Sequence, residues 1–212
     1  MHVETETAAQ WWAKPRTDTW VAGYQKSTGA KHRSVIASIV KALQPADLLE
    51  VGCHCGPNLM RLADELPALE MVGIDVNKQA IEAGRRWVES KGLTHRIQLQ
   101  VGCVPDATSR LTDGVADVVL SCYALAYIAP SDIDAVLYEI GRLAAKAVIL
   151  AEPMGRDPKW SESGYSEWAH AYQDRAKWIG TLRDMTWRTA LVSPPVDALS
   201  AVLVGVRNEV TP

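Results

Sequence analysis

The sequence predicts an α/β fold: a doubly wound, mostly parallel seven-stranded sheet with helices on both faces and a C-terminal antiparallel hairpin. Two observations support this prediction. Short apolar runs alternate with stretches whose apolar residues recur at helical spacing from residue 31 to residue 151, and such alternation is typical of a parallel sheet. Beyond residue 185, two further strand-like runs follow each other with no helix between them. These two runs predict the closing hairpin.

The first elements are defined by apolar runs and by helix-ending residues. The residues from 31 to 43 carry an apolar stripe that predicts a helix, and the run Leu48 to Val51 predicts the first strand. A helix from about Asn58 should end before Pro67, and the apolar run 71–74 predicts the second strand. The third helix, 78–91, should bury Ile81 and Val88 and end at Gly92.

The second half continues the alternation. Residues 97–101 alternate apolar and polar side chains, which predicts a strand, and 117–121 is the apolar run of a central parallel strand. Ser131 is the predicted N-cap of a helix over 133–143. The remaining predictions are a strand at 147–151, a helix at 165–179, strands at 187–192 and 198–206, and a turn at Ser193-Pro194-Pro195 between them.

A glycine-containing turn joins the first strand to the next helix. Glu50 lies near the end of that strand, and Gly52 and Gly56 follow it. A turn of this kind at a helix N-terminus lets a nucleotide approach the backbone beyond the carboxyl end of the strand. The second strand ends in Asp75, whose carboxylate can accept hydrogen bonds from both hydroxyls of a ribose. The pair of strand ends therefore predicts a nucleotide site.

These two pieces resemble motifs I and II of the class I (Rossmann-like) S-adenosylmethionine (SAM)-dependent methyltransferases. In the family's acid–Gly-x-Gly-x-Gly pattern, Glu50 matches the acid, Gly52 the first glycine and Gly56 the last, while His54 replaces the middle glycine. Histidine tolerates positive φ better than most side chains, so the turn can be kept. The resemblance covers about residues 30 to 152. It implies that the last strand inserts between strands five and six.

The resemblance implies a SAM site at the carboxyl ends of the strands. Glu50 would order the turn near the amino acid part of SAM, Asp75 would bind the ribose, and Val76 would contact the adenine. The family's acid after strand three is absent here, and Asp106 lies three residues beyond its place. The predicted cofactor-binding residues are Glu50, Gly52, Cys53, Gly56, Asp75, Val76, Cys103, Val104, Ser121 and Tyr123.

The implied activity is methyl transfer from SAM to a small-molecule acceptor. The catalytic residues are not identified by the sequence; Tyr123 and His170 are the candidates, and His54, Tyr127 and Glu152 are further candidate bases. Two alternatives stay open: a catalytically silent SAM- or nucleotide-binding protein, and an NAD-linked oxidoreductase. The oxidoreductase is disfavoured because Leu59 stands where its third glycine would be.

Composition disfavours several other functions. The formal net charge of −3 gives no strong field for nucleic acid, and strand four lacks the signatures of DNA methylases. No apolar run is long enough for a membrane helix, and no signal-peptide pattern opens the chain, so we expect a cytoplasmic protein. Cys53-His54-Cys55 does not have the spacing of a zinc site, and we expect no metal.

Two segments rich in aromatic residues flank the predicted methyltransferase domain, which we assign to residues 31–212. Residues 1–30 form either a helix packed on the domain or a lid over the cofactor, with Tyr24 and Gln25 as lid residues and Gly23 and Gly29 as hinges. Residues 11–24 and 160–178, including Trp168 and Tyr172, suggest an aromatic acceptor pocket. His32 and Arg33 are expected on a solvated helix face, with a cofactor carboxylate contact as the alternative.

Overall fold

A computed structural model describes residues 7–154, 168–196 and 199–208 of the chain. In these residues helices alternate with strands up to residue 151, and two long strands follow near the C-terminus. The helices are α1 (Ala8–Ala13), α2 (Asp18–Lys26), α3 (Lys31–Leu43), α4 (Pro57–Glu65), α5 (Lys78–Ser90), α6 (Ile133–Leu143) and α7 (Tyr172–Ala176). The strands are β1 (Asp47–Val51), β2 (Glu70–Asp75), β3 (Ile97–Val101), β4 (Ala116–Cys122), β5 (Ala144–Ala151), β6 (Met185–Val196) and β7 (Leu199–Arg207).

The strands form one seven-stranded sheet in the order β3-β2-β1-β4-β5-β7-β6. The first five strands pair in parallel, and β7 is antiparallel to both of its neighbours. The predicted α/β class, the doubly wound sheet and the insertion of the last strand are therefore confirmed. The strand order reverses between β1 and β4, and this switch point opens a crevice at the carboxyl ends of the strands.

The two faces of the sheet bury separate apolar cores. Neighbouring residues of β1 point to opposite faces: Leu48 belongs to the same core as Ile36 of α3 and Ile81 of α5, and Leu49 belongs to the other core, with Ile140 of α6. Helices thus cover both faces, as a mostly parallel sheet requires. The cores hold the carboxyl ends of β1, β2 and β4 in fixed relative positions.

Two sequence predictions are wrong in detail. Ser193–Pro195 is not the hairpin turn, because β6 continues to Val196 with an irregular register after Leu191. Prolyl residues are tolerated there because β6 is the edge strand of the sheet and its pairing with β7 is irregular between Leu191 and Val196. The N-cap of α6 is Asp132 instead of Ser131, and its side chain makes no capping hydrogen bond.

The predicted helix 165–179 begins outside the described residues, and its described part is helical only over α7. Within the described parts of the chain, no helix is long and apolar enough to cross a membrane.

The N-terminal helices are attached to the domain through the start of α5. The Asn77 side chain donates hydrogen bonds to the carbonyl oxygens of Trp12 (2.7 Å) and Lys14 (3.1 Å). The backbone N–H of Arg16 donates to Gln79 Oε1 at 2.8 Å. Because Asn77 follows Asp75 by two residues, these bonds bring α1 and α2 to the carboxyl end of β2.

Candidate active site

A cavity of about 740 Å³ opens at the carboxyl ends of β1, β2 and β4 and extends under α1 and α2. Cavities of this size hold drug-sized ligands. Arg33 and Asp75 are the only charged side chains on the part of its wall that the described residues form. The remaining described wall is aromatic, aliphatic or neutral polar, so the cavity offers one cationic and one anionic contact to a ligand.

The turn after β1 has the backbone that close approach to a ligand requires. Gly52, His54 and Gly56 all have positive φ, at 75°, 51° and 80°. A Cβ added to Gly52 would lie 2.2 Å from the Cβ of Ala124, so only glycine fits there. The N–H groups of Gly52 and Cys53 both donate to the carbonyl oxygen of Ile74. The turn is therefore tied to β2, and His54 adopts the left-handed conformation at the position of the missing glycine.

Asp75 lies on the cavity wall with spare hydrogen-bonding capacity. Its Oδ2 accepts from the backbone N–H of His54 and its Oδ1 from that of Asn77, both at 2.8 Å. Burial raises the pKa of the Asp75 carboxyl, and the two backbone bonds oppose that shift. Each carboxylate oxygen has a second lone pair, so the two oxygens together can still accept hydrogen bonds from a diol.

A buried polar chain runs behind the turn from β1 to α3. Asn58 donates to Glu50 Oε1 and accepts from Arg33 Nη1, both at 2.5 Å. Arg33 also donates to the carbonyl oxygen and hydroxyl of Ser27. Burial raises the pKa of Glu50 to about 7, against the effects of Asn58 and Arg33. Arg33 is only 7% exposed and lies on the cavity wall, yet it has no carboxylate ion pair with a described residue.

The segment after β4 is held by a buried carboxylate. Glu152 accepts from Ser121 Oγ at 2.7 Å and from the N–H groups of Ala124 and Ala126. Tyr123, which lies between Ser121 and Ala124 in the chain, has φ of 53° and lines the cavity. A non-glycine residue in this region costs conformational energy and commonly marks a functional site. Glu152 therefore orders the loop that presents Tyr123.

Aromatic rings from the N-terminal segment cover the cavity. The His54 ring stacks on Tyr24 with a centroid distance of 3.8 Å and meets Trp20 edge-on at 4.3 Å. Trp20 stacks on Trp12 at 6.1 Å, and Trp12 contacts Tyr127 at 4.7 Å. These contacts form a row of rings from the turn after β1 to the segment after β4. We call Trp12, Trp20 and Tyr24 the aromatic cover.

The predicted cofactor residues divide into two groups. The first group lines the cavity: Gly52, Asp75, Val76, Cys103, Val104 and Tyr123. The second group, Glu50, Cys53, Gly56 and Ser121, is not part of the described cavity wall, and the buried Glu50 and Ser121 side chains bond Asn58 and Glu152 respectively. Direct cofactor contacts by either group stay predictions.

The candidate bases also divide. Tyr123, Tyr127 and His54 line the cavity, whereas Glu152 and His170 do not belong to its described wall. His170 is 1% exposed, and its Nε2 lies 3.0 Å from the carbonyl oxygen of Ile128. Its pKa is lowered mainly by burial.

Asn58 was not predicted as a wall residue, and the expected solvated face at His32 and Arg33 is wrong, while the alternative of a cofactor carboxylate contact stays a prediction. Both side chains are at least nine-tenths buried and line the cavity, as does Asn58. The burial of Arg33 could have been predicted from its spacing relative to the apolar residues of α3. Arg33 lies three and seven residues before Ile36 and Val40, on the apolar stripe of α3. Its charge masked a position that the stripe predicts to be buried.

No group of three or more His, Cys, Asp or Glu side chains in the described parts of the chain could hold a metal ion. All four cysteines are free thiols, and three of them are buried. On the described wall of the cavity, the charged and polar groups are Asp75, Arg33 and the neutral polar side chains around them.

Comparison with known proteins identifies a methyltransferase domain over residues 48–147. Catechol O-methyltransferase from Sus scrofa is 29% identical over 84 residues, which are 39% of this chain and 45% of that protein. The chain thus spans less than half the length of this curated relative. A solved putative O-methyltransferase from Nostoc punctiforme matches 97% of this chain and 64% of its own, with 15% identity and a TM-score of 0.71.

The plantazolicin methyltransferase, solved with a triazolic desmethyl analog and SAH, matches 95% of this chain and 95% of its own. Its TM-score is 0.69 at 14% identity. Likenesses at such low identity establish that the fold is shared.

Proposed function

We propose that the chain is a class I SAM-dependent methyltransferase, because a methyltransferase domain matches residues 48–147, and that it transfers a methyl group from SAM to a small-molecule acceptor. The observation that carries the proposal is the pairing of the glycine turn with Asp75 on one cavity wall. The turn leaves room for a ligand at the backbone, and Asp75 keeps two acceptor positions for a ribose.

The strand order supports one orientation of SAM in the cavity. With the ribose on Asp75 at the end of β2, the adenine extends toward β3, where Cys103 and Val104 line the wall. The amino acid part then extends the other way, toward β1 and β4. Arg33 and Asn58 lie on that side, and the Arg33 guanidinium, which has no carboxylate partner among the described residues, suits the carboxylate of SAM. A buried cation without an anionic partner is otherwise costly.

The described wall supports an uncharged acceptor. If SAM engages Asp75 and Arg33, no charged side chain of the described wall is left for the acceptor. Tyr123, Tyr127 and Trp12 then form its surroundings, and these rings suit a planar apolar molecule. The plantazolicin methyltransferase, whose fold is similar, was solved with a triazolic analog.

Bound SAM supplies an electrophilic methyl group, and the residues of this chain position the acceptor and exclude water. Holding two reactants in line contributes on the order of 7–11 kcal/mol to lowering the barrier in well-oriented cases. Tyr123 is our candidate for contact with the acceptor, because its left-handed backbone presents it to the cavity. The aromatic cover acts as the lid of residues 1–30, held to the domain through Asn77. The four free thiols support a reducing, cytoplasmic location.

Calorimetry with SAM, its demethylated product and NAD tests the proposal. We expect SAM and the product to bind and NAD not to bind. Asp75→Asn removes the charge that strengthens the ribose bonds, and we expect SAM affinity to fall by about tenfold or more. Asp64→Asn, at an exposed position of α4, is the matched control and should leave affinity unchanged.

Turnover with isotopically labelled SAM on a panel of neutral aromatic acceptors separates the two candidate functions. Methyl transfer to any acceptor supports the enzyme. SAM binding without transfer to any of them favours a catalytically silent SAM-binding protein, and NAD binding in place of SAM overturns both.

A further inference from the structure

His54 is the point at which this chain departs from the glycine pattern of its family. It has φ of 51°, a conformation that costs energy for a side chain with a Cβ and costs glycine little. A glycine at this position would relieve that cost. The histidine therefore needs a compensating interaction, and the contacts of its backbone, its ring face and its ring edge can be followed separately.

The backbone of His54 contacts the acid that the proposed function assigns to ribose. Its N–H donates to Asp75 Oδ2 at 2.8 Å. Any displacement of His54 therefore also displaces a hydrogen-bond donor of Asp75. Arg33, the other charged side chain of the described wall, contributes to lowering the His54 pKa.

The ring face of His54 supports the aromatic cover. Tyr24 stacks on it at an interplanar angle of 26°, and Trp20 packs against it at 84°. Aromatic pairs in such geometries contribute about 0.5–1.5 kcal/mol beyond the area that they bury. A glycine here would leave Tyr24 and Trp20 without this contact. The histidine that replaces the family glycine therefore gives α2 a ring to pack against on the turn.

The ring edge of His54 has unmet hydrogen bonds. Neither Nδ1 nor Nε2 has a partner among the described residues, although the residue is only 8% exposed. Burial, and then Arg33, lowers the pKa of the ring to about 4, so it is neutral at physiological pH. A neutral imidazole presents one donor and one acceptor. Buried polar groups are almost always bonded, and this ring lies on the cavity wall.

We propose that His54 is a cofactor-contacting residue that also holds the aromatic cover: its ring edge hydrogen-bonds the amino acid part of SAM, while its ring face holds α2 over the cavity. This inference rests on the proposed function, because it takes SAM as the ligand. It predicts that restoring the family glycine weakens binding, and that the cover closes more tightly when SAM is bound.

His54→Gly is the decisive variant, compared with Gln44→Gly. Gln44 also has positive φ, at 47°, but it is exposed at the end of α3 and lies outside the described cavity wall. Both variants relieve a left-handed side chain, and only one removes the proposed contacts. We expect His54→Gly to weaken SAM affinity by about tenfold, the value of one good hydrogen bond, and Gln44→Gly to leave it unchanged.

His54→Asn separates the two roles of the ring. Asparagine tolerates positive φ and keeps a donor and an acceptor, but it offers no aromatic face. We expect it to retain more SAM affinity than His54→Gly. Trypsin cleavage after Arg16 and Lys26 reports on the cover: SAM should slow it in the wild type and should fail to do so in either His54 variant at saturating SAM.

Each outcome decides the matter. If His54→Gly binds SAM as tightly as the wild type, or more tightly, the proposed contact is wrong. If SAM does not change cleavage of the wild type, the coupling to the cover is wrong. If the wild type binds no SAM at all, the proposed function fails first. Thermal unfolding of each variant shows whether the folded state is kept, and a variant that unfolds at the assay temperature is replaced by Tyr24→Ala, which removes the stacking partner of His54 and leaves the His54 ring edge in place.

Discussion

The two aromatic segments of the chain have similar compositions and different positions. The N-terminal one carries Trp11, Trp12, Trp20 and Tyr24, and the later one carries Trp168, Tyr172 and Trp178. The sequence predicts an acceptor pocket walled by both. Trp12, Trp20 and Tyr24 do line the cavity, whereas neither Trp168 nor Tyr172 belongs to its described wall.

The described part of the later segment does not line the cavity but is hydrogen-bonded to the segment 124–128, which does. The N–H of Trp168 donates to the carbonyl oxygen of Ala126 at 2.7 Å, and His170 Nε2 lies 3.0 Å from that of Ile128. Tyr172 is only 2% exposed and packs in the core between the sheet and α6. These residues hold the 124–128 segment, whose Tyr127 faces the cavity on the other side.

An aromatic-rich composition predicts that a segment packs against the rest of the domain. It does not predict whether that segment packs at the cavity or in the core. The aromatic cover lies at the cavity because Asn77, which follows β2, bonds the backbone of Trp12 and of Lys14. The later segment is bonded to the loop after β4. Substitutions in the first segment should therefore act on ligand binding, and those in the second on stability.

The largest effect is expected at Tyr172. Tyr172→Ala removes a fully buried ring, which typically costs about 3–5 kcal/mol of the free energy of unfolding. Urea denaturation followed by circular dichroism measures it. Tyr172→Phe is the matched control: the hydroxyl is buried without a described partner, so its loss should leave stability unchanged or raise it. Equal losses in both variants would contradict the core assignment.

The parallel half of the sheet could be predicted from the sequence because its strands are mostly apolar runs, and β3 alternates apolar and polar residues. The predicted strand bounds 48–51, 71–74 and 97–101 lie within β1, β2 and β3. The hairpin turn could not be located, since Pro194 and Pro195 predict a turn unless the strand is known to lie at an edge. Edge position depends on the strand order, which is a property of the whole sheet.

Cavity-wall residues at the ends of strands could be predicted from the sequence. Wall residues that belong to helices could not. Asp75 and Gly52 follow apolar runs, and both line the cavity. Arg33 and Asn58 lie in helices, and their burial depends on the packing of α3 and α4 beside the turn. The role of His54 could not be predicted either, because Tyr24 and Trp20 meet it only in the folded chain.

A smaller effect should distinguish the histidines of the two regions by their response to pH. Burial lowers the pKa of His54 to about 4 and also lowers that of His170. A histidine of lowered pKa favours the folded state above the unfolded value near 6.5, and this contribution is lost as the pH falls toward the folded pKa. Each pKa unit corresponds to about 1.4 kcal/mol.

We therefore compare each histidine variant with the wild type by urea unfolding at pH 7 and pH 5. The stability deficit of His54→Asn should be smaller at pH 5 than at pH 7, by on the order of 1 kcal/mol. The difference between variant and wild type is needed because Glu50, Asp75 and Glu152 have raised pKa values and act in the opposite direction. His170→Asn should also lose its bond to Ile128 at both pH values. A deficit for His54→Asn that does not change with pH would mean that its ring is not buried in solution.

The smallest effect on stability, and the most direct test of the comparison, is expected at Trp12. Trp12 is half-buried and joins Trp20 to Tyr127 across the cavity. Trp12→Ala should weaken SAM or acceptor binding by about tenfold, as loss of a stacked aromatic anchor does, while the free energy of unfolding changes by less than about 1 kcal/mol. Trp178→Ala, at a tryptophan that is 61% exposed in the later segment, is the control and should change neither quantity. If Trp12→Ala destabilised the fold as much as Tyr172→Ala while ligand affinity stayed constant, the first segment would be structural like the second, because its rings would then stabilise the domain without enclosing a ligand.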